Sequence, residues 1–317
     1  MPFDPPRSLS PSKITAFRDC ALSFRFSAID HLPDPPTAWT VKGTLVHSVL
    51  ERLFWHHEPG SRTIEAARAE LEHAWGLLRS DDEYRGLGLD DTEARAFVLD
   101  ASVLVENYFR IEDPNAVRAV GIELMVEAYV DGVRLRGIID RLDLTDNGDL
   151  IVIDYKTGRA PSAAYEATKM NGVHLYALLC QERLGRRPIQ VRLLHLREPA
   201  VITAHPTDQT LRGHRRKAVA VWTAIERACA DEDFRPRVSP LCRFCAFRPY
   251  CPAQGGDLGL AVNREAIRAA SQDARLPDPG PNRANPIPAQ ALPADRRING
   301  TNEIDGTNAV QPLGGRE

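Results

Sequence analysis

The sequence predicts an α/β protein in which strands in the order β-β-β-α-β form a mixed sheet with a helical packing layer. Three observations carry this. Apolar, β-branched runs at 121–130, 133–144 and 151–157 are separated by the turn signals Asp131-Gly132 and Asp146-Asn147-Gly148-Asp149. A helical stretch from Pro161 to Leu184 then returns the chain to a further strand, Gln190 to Leu196. Helical periodicity dominates the flanks, before residue 113 and again over 207–230.

The bulk numbers fit an ordinary globular chain. Its 317 residues suffice for one large domain or two ordinary ones, with 43% hydrophobic and 26% charged residues. A formal net charge of -3 supplies no global basic field, so any nucleic-acid binding has to use local patches. Met1 to Pro6 lacks a basic n-region and an apolar h-region, and no apolar run reaches membrane-spanning length. A cytoplasmic protein without membrane contact is expected. In that compartment its six cysteines would be reduced, metal-bound or catalytic rather than disulfide-paired.

In chain order, Ser10 caps a first helix and Pro11 suits its first turn, with Ile14, Phe17, Ala21 and Phe24 as the buried stripe. Cys20 rides near that stripe and, taken alone, reads as a small core residue. Pro33 to Pro36 ends this helix. A second begins near Gly43 and carries Leu45, Val46, Val49, Leu50 and Leu53, with His47 inside it and His56 and His57 solvent-exposed at its end. Residues 62 to 112 read as a helical scaffold in two segments, parted by the turn from Ser80 to Asp91. Cys180 and Cys229 lie in apolar helical stretches and read as core. In the last long helix, Thr207 to Ala230, Arg212, His214, Arg215, Arg216 and Lys217 form the densest basic run, a candidate grip for a phosphate backbone. From Ala253 onward the composition shifts, and Pro277 to Glu317 should be disordered.

The chemistry concentrates in Gly137-Ile-Ile-Asp140-Arg-Leu-Asp143 and Ile151-Val-Ile-Asp154-Tyr-Lys156-Thr-Gly158. A hairpin puts Asp140 and Asp154 on neighbouring strands, and period-2 alternation points Asp154 and Lys156 to one face. Two carboxylates and an ammonium then converge as metal-assisted phosphodiester hydrolysis requires. Asp140, Asp154 and the carbonyl of Tyr155 would hold Mg²⁺ or Mn²⁺, and Lys156 would orient water or neutralise charge. Glu123 on the first strand is within reach, although such a residue is more often an outward-facing strand charge. Arg134, Arg136 and Arg141 flank the acids and are candidates for tracking phosphates.

A second constellation is Cys242-x2-Cys245-x5-Cys251 in an aromatic, proline and arginine setting. Three thiolates leave a tetrahedral or cubane site one ligand short. Cys20 is the remaining choice once the core cysteines are set aside. Either zinc or a 4Fe-4S cluster fits four thiolates.

Together, His47 after Gly43, Asp140 in its Gly-Ile-Ile-Asp-Arg-Leu-Asp setting, Asp154-Tyr155-Lys156-Thr157-Gly158 and the split cysteines resemble the RecB-family exonucleases of the PD-(D/E)XK nuclease superfamily. The resemblance runs from about Ser8 to Pro252. It implies a restriction-endonuclease-like core, a central mixed β-sheet flanked by helices, with an N-terminal helical region and a C-terminal cysteine-rich segment. It implies one nuclease domain over 1–252, containing a helical insertion at about 60–112 and a cysteine segment at about 240–252, and a tail over 253–317.

For the residues, the resemblance implies that His47, Asp140 and Asp154 bind the divalent metal and that Lys156 is catalytic. Cys20, Cys242, Cys245 and Cys251 would hold a 4Fe-4S cluster pinning the C-terminal segment to the N-terminal helix. Tyr176, with Arg141, Arg215 and Arg216, would contact substrate. The family usually carries a glutamine four residues before the tyrosine matching Tyr176, and here that position is Gly172. The expected activity is metal-dependent exonucleolytic cleavage of single-stranded DNA ends in repair or recombination, with DNA and a helicase or other recombination protein as partners. The alternative is a non-catalytic DNA-binding or scaffolding module on the same fold.

Overall fold

The alternating apolar runs form strands because each can bury one face or both, and the central one buries both. In the computed structural model, described for residues 3–161 and 163–262 with the side chains of 163–169, 171 and 262 excepted, six helices come first. These are α1 (Pro11–Asp19), α2 (Ala21–Ala28), α3 (Ala38–His56), α4 (Ile64–Leu78), the single turn α5 (Asp82–Arg85) and α6 (Asp91–Tyr108). Strands β1 (Ala119–Val130), β2 (Val133–Leu144) and β3 (Leu150–Lys156) follow, then α7 (Ala163–Leu184), β4 (Gln190–His195), β5 (Ala200–Ala204), α8 (Asp208–Ala230) and the short α9 (Gly259–Val262).

The sheet runs β1-β2-β3-β4-β5 in spatial order. All neighbours are antiparallel except β3 and β4, which α7 connects as a crossover and which pair parallel. This is the mixed α/β sheet expected from the sequence, with one strand added. Strand β5 has no clear sequence signal because it is a short edge: its burial merely alternates between partial and exposed, so it lacks the apolar signature of a core strand.

Hydrophobic clusters cover both faces. On one, Leu142, Val152 and Leu193 pack with Leu178 and Leu179 of α7, Ala218 and Ile225 of α8, and Phe24 and Phe26 of α2. On the other, Ile151, Ile153 and Tyr155 pack with Val46, Val49 and Leu53 of α3, Leu71 of α4, and Leu104 and Tyr108 of α6. Strand β3 is accordingly buried along its length until Lys156 emerges at its end.

Several helices start where side-chain caps allow. Ser10 accepts from the Lys13 amide, Thr37 and Thr40 cap α3 reciprocally, and Asp90 with Glu93 does the same for α6. One expected helix is in fact two: Cys20 adopts an extended backbone (φ -162°, ψ 111°) between α1 and α2. The break turns Cys20 out of the apolar stripe, and it is only partly buried. Cys180 and Cys229 are buried as expected. His56 is exposed, but His57 is half-buried against Glu70, with Nε2 and Oε1 2.9 Å apart. The expected disorder of 277–317 and the rest of the tail beyond residue 262 lie outside the described residues.

Arg141 locks the sheet to the α3–α6 layer. Fully buried, it donates from Nε and Nη2 to both oxygens of Asp143 at 2.8 and 2.9 Å, and from Nη1 to the Tyr155 and Tyr108 hydroxyls at 2.8 and 3.1 Å. Glu112 lies 2.6 Å from Nη1, and the guanidinium stacks over the Phe54 ring. An ammonium cannot reproduce this fork of donors. Arg141→Ala is expected to destabilise the protein by about 3–5 kcal/mol by stranding buried carboxylates, with Arg141→Lys recovering little of the loss. Urea denaturation measures this, and a change below about 1 kcal/mol, the scale of a surface pair, would contradict the structural role.

Candidate active site

Strand register brings the acids together. In β2 and β3, Arg141 pairs with Ile153 and Leu142 with Val152, which sets Asp140 opposite Asp154. In β1 and β2, the pairs Ile122 with Arg141 and Leu124 with Ile139 set Glu123 opposite Asp140. Three carboxylates therefore line up across three strands.

Glu123 sits in the left-handed region at φ 43°, which for a non-glycine residue costs about 1–3 kcal/mol. It lies two residues past an irregularity in β1, whose register with β2 shifts between Ala119 and Gly121. By sequence it reads as an outward-facing charge, and the structure corrects this. A signal was nonetheless available, because the tight turn Asp131-Gly132 pairs Val130 with Val133, and counting back along both strands puts Glu123 across from Asp140.

Helix α3 delivers His47 to this row. Its Nε2 lies 3.2 Å from the Tyr155 carbonyl oxygen, which can only accept, so Nε2 carries a proton. Nδ1 then faces Asp140 Oδ2 at 3.6 Å and Glu123 Oε1 at 3.9 Å. Ligand atoms of His47, Glu123 and Asp140 all lie within 4.8 Å of one another, a spacing one divalent cation can bridge. Asp140 also accepts the Tyr155 N–H at 2.7 Å. Asp154 is buried and ion-paired with Lys156, whose ammonium end remains partly in solvent.

The electrostatics are those of crowded negative charge. Burial, followed by the neighbouring Asp154 carboxylate, pushes Asp140 up to about 7. Burial works against charging His47, but Glu123, Asp140 and Asp154 outweigh it and raise its pKa. For Lys156, too, burial is overcome by Asp154 and Asp140, so the ammonium is retained. In the absence of a cation, protons compensate the acids; this donor set of hard oxygens and one imidazole fits Mg²⁺ or Mn²⁺.

Tyr176 of α7 stands beside the row. A Cβ at Gly137 would approach its Cε1 to 2.7 Å, so only glycine lets the ring sit this close to β2. After burial, the charges of Asp154, Asp140 and Glu123 keep its phenol protonated. His195, which pairs in register with Lys156 on β4, carries no motif that would mark it in the sequence. It is buried with its pKa lowered by burial, and neither ring nitrogen makes a regular hydrogen bond.

The arginines expected at the substrate lie elsewhere. Arg141 is enclosed on the opposite face of the sheet, so it cannot reach a phosphate. Arg215 pairs with Asp131, at 2.9 Å, and with Glu182. Asp131 marks the far end of the β1–β2 hairpin, about 25 Å of strand from Glu123. Arg216 is exposed on α8, which packs mainly on α7 and α1.

Cys20, Cys242, Cys245 and Cys251 line a single cavity of about 350 Å³. The Arg237 amide donates to Cys20 Sγ and the Ser239 amide to Cys242 Sγ, each at 3.4 Å. Four sulfurs lining one space are the donor set that a four-thiolate site requires. Segment 240–251 consists of short 3₁₀ turns, which let the three distal cysteines face the α1–α2 break.

Known proteins resemble this chain over much of its length. The Gene 69 proteins of Mycobacterium phages D29 and L5 are 25% and 24% identical over 271 and 291 residues. Each match spans 77% of this chain, and 96% and 95% of the phage proteins respectively. One subunit of the ATP-dependent helicase/deoxyribonuclease of Streptococcus mutans is 26% identical over 167 residues, half of this chain but only 15% of that protein. A crystal structure from Eubacterium rectale, whose exonuclease activity is itself an inference, superposes with a TM-score of 0.47 at 13% identity, covering 75% of this chain and 87% of that one. Residues 8–252 match the PD-(D/E)XK nuclease superfamily. With most of its length so matched and the acids of β1, β2 and β3 aligned on one mixed sheet, the chain belongs to the PD-(D/E)XK nuclease superfamily.

Proposed function

We infer that this protein is a Mg²⁺- or Mn²⁺-dependent DNA exonuclease acting on single-stranded ends in repair or recombination. The observation carrying this reading is the His47–Glu123–Asp140 cluster, within 4.8 Å, beside the buried Asp154–Lys156 pair. His47, Asp140 and Glu123 would hold the cation, with Asp154 and the Tyr155 carbonyl at its edge. A bound divalent ion supplies Lewis acidity toward the phosphate and acidifies an attacking water. Lys156, anchored by Asp154 and reaching solvent, is positioned to steady developing negative charge. Tyr176 borders the same opening and is the sequence-predicted substrate contact that the geometry keeps near the acids.

A DNA substrate and a helicase partner are drawn from the Streptococcus mutans relative, a subunit of a helicase/deoxyribonuclease. The proposal takes 1–252 as one nuclease unit, because both hydrophobic cores share the same sheet. It includes a cytoplasmic setting, consistent with six cysteines that are all free. A second reading, a non-catalytic DNA-binding or scaffolding module, is favoured by Gly172, beside which a Cβ would meet nothing within 4 Å. The resemblance leads to a glutamine there, and Gly172 supplies no side chain in its place.

For the four cysteines, the proposal is a 4Fe-4S cluster. Cys20, Cys242, Cys245 and Cys251 line one cavity and supply the four thiolates such a cluster needs, a set that structural zinc would also accept.

Substituting Asp140→Ala or Lys156→Ala should each lower cleavage of end-labelled single-stranded DNA by at least about 100-fold, a typical loss for one charge-stabilising group, while thermal unfolding stays cooperative. Undiminished activity in either variant removes the assignment, and metal-dependent degradation by substoichiometric wild-type protein removes the scaffolding alternative. Asp140, raised to about 7, and His47, also raised, make the metal-free fold take up protons, so the stability from Asp140 is lost as pH rises through about 7 and that from His47 as pH rises above its ordinary value. Mn²⁺ should therefore raise the melting temperature more at pH 8 than at pH 5; equal shifts would place the ion elsewhere. Anaerobically purified protein should be brown and contain about four iron atoms per chain. A colourless preparation with one zinc would replace the cluster.

A further inference from the structure

The turn after β4 brings a second feature to the carboxyl ends of the parallel strands. The Leu196 amide donates to the Lys156 carbonyl at 2.8 Å, so Arg197 begins where the catalytic strand ends. This turn is rigid, because Asn107 of α6, itself buried, donates from Nδ2 to the Leu196 carbonyl at 2.8 Å. Arg197 then places its guanidinium 4.7 Å from the centre of the Trp39 ring. Lys42, one turn along α3, has its ammonium 5.0 Å from the same ring. Asp100 tethers both cations, accepting from Arg197 at 2.9 Å and pairing with Lys42.

Trp39 nevertheless remains 56% exposed. It lies on α3 eight residues before His47, about 12 Å along the helix axis. Between them, a Cβ at Gly43 would sit 3.4 Å from Thr157 Oγ1, which puts this turn of α3 against the loop just past Lys156. The indole is thus a solvent-facing aromatic plane on the same ridge as the metal-site histidine, immobilised by two cations and adjoining the end of β3.

We propose that Trp39, braced by Arg197 and Lys42, is a stacking platform for an unpaired base of single-stranded DNA a short distance along the strand from the scissile phosphate. The chemistry suits that ligand: an aromatic plane stacks any base, and the flanking cations attract the adjoining backbone. An exposed indole fixed by cations costs little ordering when a base arrives, since its side chain is already restrained. A duplex keeps its bases stacked internally and offers no face to it. The proposal rests on the nuclease reading above and deepens it by naming how the substrate is held.

The test uses the full chain in EDTA, so that affinity is measured without turnover, and a short fluorescein-labelled oligothymidylate followed by fluorescence anisotropy. Trp39→Ala should weaken binding by about 5- to 150-fold, the range for losing one stacked base, and Trp39→Phe should restore most of it. Trp55→Ala, which removes an equally exposed indole at the far end of α3, should bind as the wild type does. A single abasic position walked along the oligonucleotide should weaken wild-type binding at one place and leave Trp39→Ala indifferent to it, a coupling that mere loss of helix packing does not produce. Wild-type affinity in Trp39→Ala, or abasic sensitivity unchanged by it, overturns the platform while DNA cleavage by the wild type leaves the nuclease reading intact. Absence of both binding and cleavage in the wild type overturns both.

Discussion

The rest of the structure serves one electrostatically unfavourable demand: Glu123, Asp140 and Asp154 must stand abreast on three adjacent strands, partly out of water. Burial disfavours the charged form and like charges so placed repel, and Asp140 responds by holding its proton to about 7. Backbone hydrogen bonds of the sheet keep the three strands from separating, and the Tyr155 amide and Lys156 ammonium return some of the lost solvation. A site under such tension is one that a divalent cation would relieve, so the geometry that crowds the acids is also what suits them to hold one.

Support from the reverse face is equally specific. Arg141 and Tyr155 are the chain neighbours of Asp140 and Asp154, and strand alternation turns them to the opposite side. There the guanidinium joins β2 to β3 and to α6 through Asp143, Tyr155, Tyr108 and Glu112. A rigid ionic lock thus lies directly behind the acids, and the same Asp-Arg-Leu-Asp run supplies both. The helical layer of α3, α4 and α6, read from the sequence as scaffold, closes that lock within an apolar shell and also carries His47 and Trp39 to the open edge.

The two ends of the described chain meet at the cysteine cavity. The interruption between α1 and α2 frees Cys20 from helical geometry, and the 3₁₀ turns at 240–251 bring the other three thiols to it. A loop-rich segment with little core of its own gains order from such a junction, because closing a long chain onto its beginning removes much of the freedom of the unfolded state.

Much of this was legible locally. Turn residues and β-branched runs announce β1, β2 and β3, and period-2 alternation alone puts Asp154 beside Lys156. The short edge β5 was not, since its stability comes from pairing with β4 rather than from burial. Arg141 illustrates the limit more sharply. An arginine next to a clustered aspartate looks like a phosphate contact in sequence, and only the enclosure of that face by Phe54, Tyr108 and α6 makes it a structural lock. For Arg215, the carboxylates that claim it come from Asp131 and Glu182, positions distant in the chain.

What the sequence determined by itself was therefore whatever depends on spacing within a strand, turn or helix: the element order, the paired acids, the lysine and the grouped cysteines. Tertiary structure alone decided which face each side chain shares with residues far away. That is how Glu123 joined the acids through a strained backbone and register across a hairpin, how Arg141 left the site, and how Trp39 met Arg197. The reason is physical: local periodicity sets a direction relative to its own strand or helix, whereas the charges and surfaces waiting in that direction come from chain segments whose position only packing establishes.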